Sequence, residues 1–144
     1  AGADRRAPPG GAAVKLNVLQ VCDHLGWEGS RMHGVKRLFA WMIPRFNSQQ
    51  CSVSLVSLRK KDVSEETLES FGIDITYLHK SKFDPSTLPA LLKIIDRKRI
   101  DILHLHGYGA TTFGRIAGRM PSARATHAMP SPNAKGARTC VHVP

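Results

Sequence analysis

The chain has 144 residues, and its 21 lysines and arginines against 11 aspartates and glutamates give a formal charge of +10. With 42% hydrophobic and 22% charged residues it has the composition of a soluble globular protein, and its length allows one ordinary domain or half of a larger enzyme. No apolar run approaches the roughly 18 residues that a membrane-spanning helix requires, so the sequence excludes that class.

Composition divides the chain into three parts. Residues 1–14 contain no apolar side chain larger than valine, which predicts a disordered leader. Residues 119–144 lack Leu, Ile, Phe, Trp and Tyr, and so small an apolar content cannot offset roughly 1–2 kcal/mol of backbone entropy per residue. We expect a poorly structured tail there, with a composition that a shifted reading frame or a faulty gene model would also produce. The folded domain is predicted over 15–118.

Within that domain, strand and helix signals alternate along the chain. The near-continuous apolar run 16–22 is typical of a strand covered on both faces. A glycine-containing loop over 23–34 leads into a helix in which Pro44 should kink or end the last turn. Its apolar stripe recurs at helical spacing and comprises Val35, Leu38, Phe39, Met42, Ile43 and Phe46. Residues 51–58 alternate apolar side chains with serine and predict a second strand.

The second half continues the same alternation. A short helix is expected from Ser64 to Gly72, followed by a third strand over 73–78. Asp84 and Pro85 have the composition of a helix start, and the stripe that follows is Leu88, Leu91, Leu92 and Ile95. A fourth strand over 100–105 and a helix over 111–118 complete the pattern. This spacing predicts an α/β fold, a Rossmann-like parallel sheet with helices on both faces.

Two loops at the carboxyl ends of the predicted strands hold the candidate site residues. Ligands of such sheets bind at this edge. Glycines such as Gly26 and Gly29, in the first loop, let a ligand approach the backbone, although they do not form a G-x-G-x-x-G fingerprint and could simply turn the chain. Alternation places His104 and His106 on one face at the end of the fourth strand, before Gly107. His106 is the better candidate for touching a substrate, and His104 has a buried structural role as its alternative; a metal site would need a third ligand.

The same segments resemble the amino-terminal domain of family 4 (GT-B type) glycosyltransferases. The resemblance rests on the strand and loop 18–29 and on the Asp-(apolar)-(apolar)-His-x-His pattern of 101–106. It departs from the family at Glu28, which replaces a glycine, and at 32–34, which look like a small insertion. The fold it implies is one half of a GT-B architecture.

The resemblance also implies a function. It suggests retaining transfer of a sugar from a nucleotide-diphosphate donor to a saccharide or lipid-linked acceptor, with no cofactor and no metal. His106 would be catalytic, and Gly26, Gly29, His104 and Gly107 would bind substrate. The family's donor-binding domain, with its Glu-x7-Glu pair, would lie beyond Pro144, so this fragment alone is expected to be inactive.

Other classes of function remain open at this stage. A non-catalytic α/β module that binds a small anion, or acts in regulation, is the alternative, and an inactive truncated product is a third. Nucleic-acid binding is not expected, because the basic clusters 59–61 and 97–99 lack interleaved aromatic residues and each has an aspartate within the next two residues. The charge favours contact with an anionic membrane surface more, and three dispersed cysteines suggest a reducing compartment. The expected location is the cytoplasm, peripherally at the inner face of the cell membrane.

Overall fold

A parallel β-sheet of five strands forms the centre of the fold. The computed structural model describes residues 15–29, 31–32, 34–48, 50–64, 66–120 and 139–143. Its elements follow in the order β1 (Leu16–Cys22), α1 (Gly34–Phe46), β2 (Cys51–Ser57), a 3-10 helix (Leu68–Phe71), β3 (Ile75–Tyr77), α2 (Thr87–Lys98), β4 (Ile102–His106), α3 (Tyr108–Arg119) and β5 (Thr139–Val143).

The strand order is that of a Rossmann-like sheet. The strands lie as β3-β2-β1-β4-β5, and each neighbouring pair runs parallel. In register, Leu19 of β1 lies between Ser54 of β2 and Leu103 of β4. The apolar runs of the sequence become the inner strands because such runs can be covered on both faces. The predicted α/β class and parallel sheet are confirmed.

Two hydrophobic cores lie on opposite faces of this sheet. One joins α2 and α3 to the strands through residues such as Leu91, Ala117 and Leu105. The other joins α1 and the 3-10 helix to the strands through Phe39, Leu68 and others. Because alternate residues of a strand point to opposite faces, Leu103 and Leu105 face α3 while His104 and His106 face α1. Both histidines therefore belong to the α1 side of the sheet.

Helix α1 buries a different face from the predicted stripe. Phe39 and Ile43 are buried as expected, but the third buried residue is Lys36. Three members of the predicted stripe, Val35, Leu38 and Phe46, are exposed instead. The helix carries apolar residues around most of its circumference, so periodicity alone cannot choose its inward face. Lys36 faces inward because its Nζ meets the buried carboxylate of Asp62 at 2.5 Å.

Of the inward residues that the sequence predicts for helix α3, Ala117 is buried and Phe113 packs against the core, but Ile116 is not buried. Helix α3 approaches the sheet mainly through small residues. Its buried positions are Gly109, Ala110, Gly114, Ala117 and Gly118, whereas Ile116 is exposed. A Cβ built on Gly114 would overlap the Leu105 side chain, with Cδ1 of that residue only 2.8 Å away. Glycine lets the helix lie this close to β4.

Strand β5 corrects the expectation of a poorly structured tail over 119–144 at residues 139–143 only. Residues 139–143 pair in parallel with β4, from Thr139 opposite Ile102 to Val143 opposite His106. The run contains Thr139, Val141 and Val143, which are β-branched and favour a strand. An average composition over the whole segment hid this short run. The expected leader 1–14 and residues 121–138 lie outside the described residues.

Candidate functional site

The candidate site lies between the carboxyl ends of β1 and β4, from which the chain continues in opposite directions across the sheet. The chain leaves β1 for α1 on one face and leaves the adjacent β4 for α3 on the other, which makes this the topological switch point. Cys22 and His106, the last residues of β1 and β4, stand opposite each other in register. A cavity of about 310 Å³ opens here. Its lining includes Asp23, His24, Trp27, Val35, His106 and Gly107.

Asp23 connects the loop after β1 to the start of α3. Its carboxylate accepts hydrogen bonds from the backbone N–H groups of Gly109 at 3.1 Å and Ala110 at 2.6 Å. A Cβ on Gly107, whose φ is 99°, would lie 2.8 Å from Asp23 Oδ2, and a Cβ on Gly109 would lie 2.8 Å from Oδ1. Gly107, predicted to bind substrate, therefore also has a structural role, since it leaves room for this carboxylate.

Removing the Asp23 carboxylate should destabilise the domain. We expect Asp23→Ala to lower the free energy of unfolding by about 1 kcal/mol, the usual value of an N-terminal helix cap. Asp23→Asn is the matched control and should retain most of the stability, because its side-chain oxygen can still accept these bonds. Urea denaturation monitored by circular dichroism measures both. Equal stability of Asp23→Ala and the wild type would show that the cap contributes nothing.

His106 is held firmly between β4 and α1. The side chain is buried, its Nε2 lies 2.9 Å from Gln20 Oε1, and its ring meets Phe39 edge-on with centroids 4.9 Å apart. With Gln20 Oε1 as the acceptor, Nε2 carries the ring proton. The ring also borders the switch-point cavity. The geometry thus orients an imidazole at the candidate site, and the catalytic role of His106 stays a prediction.

His104 lies away from that cavity. Its ring is 4.3 Å from the ring of His106, centroid to centroid, but it lines a separate cavity of about 240 Å³ with residues such as Val18 and Met42. Burial lowers the pKa of His104 below its ordinary 6.5. The sequence predicted that His104 and His106 would bind substrate together. The structure instead places them at two different cavities.

The lowered pKa of His104 predicts an acid-sensitive fold. Because the unfolded chain takes up this proton before the folded one does, the free energy of unfolding should fall as the pH drops below about 6.5. Asp62 and Asp84, whose pKa values are lowered from 3.8, act only in more acidic solution. Denaturation between pH 5 and 7 should therefore show a flatter slope for His104→Gln. An unchanged slope would contradict the assignment.

The two glycines of the first loop have different surroundings. Gly26 lines a third cavity, of about 370 Å³, that shares His24 and Trp27 with the switch-point cavity. Gly29 has a φ of 75°, lines neither of these two cavities, and leaves open space around a built Cβ. A side chain at Gly29 would therefore be strained by the backbone rather than by a neighbour.

Several residues of the site went unnoticed in the sequence. Trp27 stands between the two cavities, and Arg59 and Lys80 line the one that contains Gly26. Because the three residues follow different strands, no local sequence pattern shows that they lie together. The one indication is that each follows a predicted strand at the ligand-binding edge. Burial raises the pKa of the Cys22 thiol, which makes it an unreactive core cysteine.

Comparisons of the chain with protein-family models, curated proteins and solved structures found no match. Within the described ranges, no three His, Cys, Asp or Glu side chains come together as a metal site would require. No helix in that same part of the chain has the length and apolar character needed to cross a membrane. The class that fold and site define is a Rossmann-like α/β domain with a cavity at its switch point.

Proposed function

We propose that this chain is the acceptor-side domain of a GT-B type glycosyltransferase that uses a nucleotide-diphosphate sugar. The observation that supports this most is the switch-point cavity, since both segments that resemble family 4 enzymes border it. His24 and Trp27 come from the first segment, and His106 and Gly107 from the second. A saccharide or lipid-linked acceptor would occupy this cavity, and a second domain would supply the donor.

Each residue then has a defined part in transfer. Gln20 fixes the tautomer of His106, so that the imidazole presents a constant face to the sugar. The start of α3 already receives the carboxylate of Asp23, so the donor diphosphate would approach the backbone around Gly29 instead. Retention at the anomeric carbon is carried over from the family resemblance.

Transfer by this domain should require a donor-binding domain. The purified 144-residue chain with UDP-glucose or GDP-mannose and a mixture of saccharide acceptors should release no nucleoside diphosphate, because the reactants are not held in one geometry. The gene product that includes the sequence encoded after Pro144 should release it. Turnover by the short chain, or none by the longer protein, would reject the proposal. The second outcome would favour a non-catalytic anion-binding module.

Variants of the longer protein test the individual roles. Replacing both partners of the buried hydrogen bond, in Gln20→Leu/His106→Phe, keeps the volume of the core and leaves neither partner of that bond behind unpaired. We expect this variant to unfold near the wild-type midpoint but to lose at least 100-fold in kcat. Gly29→Val should also lose activity, while Gly34→Ala, at a glycine with open space and no positive φ, is the matched control.

The cytoplasmic, membrane-peripheral location is part of the proposal. It is supported by the outer face of α1, where Trp41 is more than half exposed and lines one surface cavity together with Arg37 and Arg45. The guanidinium carbon of Arg45 lies 4.8 Å from the centre of the Trp41 ring, and the helix contains no acidic residue. Basic and aromatic side chains on one face are typical of helices in the bilayer interface.

Vesicle sedimentation tests the membrane contact. The chain should sediment with phosphatidylglycerol vesicles and remain in solution with phosphatidylcholine vesicles, since the attraction is partly electrostatic. Trp41→Ala/Arg45→Gln should reduce the bound fraction several-fold. Lys93→Gln, an exposed lysine on α2, removes the same charge elsewhere and should have little effect. Equal sedimentation of both variants would show that α1 is not the contact surface.

A further inference from the structure

A concentration of positive charge lies at the carboxyl edge of β2 and β3. Arg59 and Lys60 follow β2, and Lys80 follows β3. Together they line the cavity of about 370 Å³ whose other lining residues are His24, Gly26, Trp27 and Ser81, with no carboxylate among them. This basic cavity is therefore suited to a negatively charged group.

The aspartate that follows the basic run 59–61 does not neutralise it. Asp62 is buried, and its Oδ2 lies 2.5 Å from the Nζ of Lys36, which is also fully buried. Its charge is thus directed into the protein. Among the described residues, the run's own ion pair is the exposed 4.0 Å contact between Lys61 and Glu69, and Lys61 does not line the cavity. Arg59 and Lys60 are in none of the ion pairs between described residues.

Hydrogen bonds to backbone carbonyls fix the two loops that carry these cations. Lys80 N–H donates to Leu58 O at 2.9 Å, His79 N–H donates to Arg59 O at 3.2 Å, and Arg59 Nη1 donates to Lys80 O at 3.4 Å. His79 adopts a left-handed φ of 53°, which is unusual for a residue other than glycine. Such strain often occurs where a loop is shaped for binding. The cavity wall is thus held in place before any ligand arrives.

Trp27 forms the boundary between the basic cavity and the switch-point cavity. Its side chain is 59% exposed, and His24 meets its ring edge-on at 5.3 Å between centroids. An exposed indole offers a broad apolar face on which the C–H face of a sugar ring can pack. A ligand resting on Trp27 would reach the cations on one side and His106 on the other.

We infer that the basic cavity binds the phosphate or carboxylate of an anionic saccharide whose sugar ring packs on Trp27. The inference rests on the proposed function, because it names the chemical class of the acceptor. The anionic group lies against Arg59, Lys60 and Lys80. The sugar then extends into the switch-point cavity, where His106 stands. A neutral sugar would gain only the contact with Trp27.

Binding to the chain without any donor tests this inference separately from transfer. Glucose 6-phosphate and glucuronate serve as probes, with glucose and inorganic phosphate as controls, by isothermal titration calorimetry at low ionic strength. We expect at least one of the two anionic sugars to bind at least 10-fold more tightly than glucose and than inorganic phosphate. Which of them binds distinguishes a phosphate site from a carboxylate site, and added salt should weaken the binding.

Variants show whether this cavity is the site. Lys60→Gln, at an exposed side chain, and Arg59→Gln/Lys80→Gln should each weaken binding of the anionic sugar, the double variant by at least 10-fold. Trp27→Ala should reduce it to the level of inorganic phosphate. Lys93→Gln on α2 should not change it, and an unchanged thermal midpoint confirms that each variant folds.

The inference is overturned by any of three results. The first is that anionic sugars bind no better than glucose. The second is that inorganic phosphate binds as well as they do, which would show an anion site only. The third is that the folded cavity variants bind like the wild type. If the anionic sugar binds here but the longer protein transfers nothing, the proposed function fails and the binding site stands. If the longer protein transfers sugar to a neutral acceptor alone, the proposed function stands and the inference about an anionic acceptor fails.

Discussion

Asp62→Ala should lower the free energy of unfolding by about 3–5 kcal/mol, because it leaves the ammonium of Lys36 buried without its counter-ion. The Lys36 side chain is fully enclosed, and besides Asp62 it donates to Ser64 Oγ at 2.5 Å. Burial by itself would raise the pKa of Asp62, but the hydrogen bonds from Lys36 and Ser64 outweigh it and hold that pKa below 3.8. The Asp62 carboxyl is therefore ionised at neutral pH.

Two further variants separate the ion pair from its position in the fold. Lys36→Met/Asp62→Leu replaces both charges by apolar groups and should recover most of the lost stability. Glu69→Ala removes only the exposed 4.0 Å contact with Lys61 and should cost less than about 1 kcal/mol. Guanidinium denaturation measures all three. An Asp62→Ala protein within 1 kcal/mol of the wild type would contradict the assignment of this pair as a structural contact.

Gly114→Ala should destabilise the domain by about 1–3 kcal/mol, although alanine is normally the better helix residue by about 1 kcal/mol. The new methyl group would overlap Leu105, which is fully buried in β4 and cannot move into free space. Helix α3 would have to withdraw from the sheet. Gly34→Ala introduces the same group where nothing lies within 4 Å and should be neutral or slightly stabilising.

Thermal unfolding of both glycine variants provides the measurement. The signs of the two shifts should differ, with a lower midpoint for Gly114→Ala and an equal or higher one for Gly34→Ala. If the two midpoints shift alike, α3 does not depend on glycine for its approach to β4.

The sheet was predictable because its signals are local. The strand predicted over 16–22 has the same limits as β1, since a continuous apolar run defines both its position and its burial. The inward face of α1 was not predictable, because it depends on Lys36 meeting Asp62 from another loop. Strand β5 was missed because five residues cannot change the average composition of a long polar segment.

The candidate site was predictable only in its outline. Sequence order and the alternation of strands brought the loop after β1 and the segment around His106 to one edge, as the cavity between them confirms. The contact of Asp23 with α3 and the grouping of Trp27 with Arg59 join residues far apart in the chain. No local pattern records such contacts. The catalytic role of His106 and the transfer of a sugar remain predictions.

The cap of α3 has a consequence for how the domain opens. Its carboxylate belongs to Asp23, 86 residues before Gly109 and 87 before Ala110, so the first turn of the helix is complete only while β1 and β4 lie side by side. Ordinary helix ends fray independently of the rest of a protein. Here hydrogen exchange at the amides of Gly109 and Ala110 would report separation of the two central strands, and these two amides become internal probes of sheet opening.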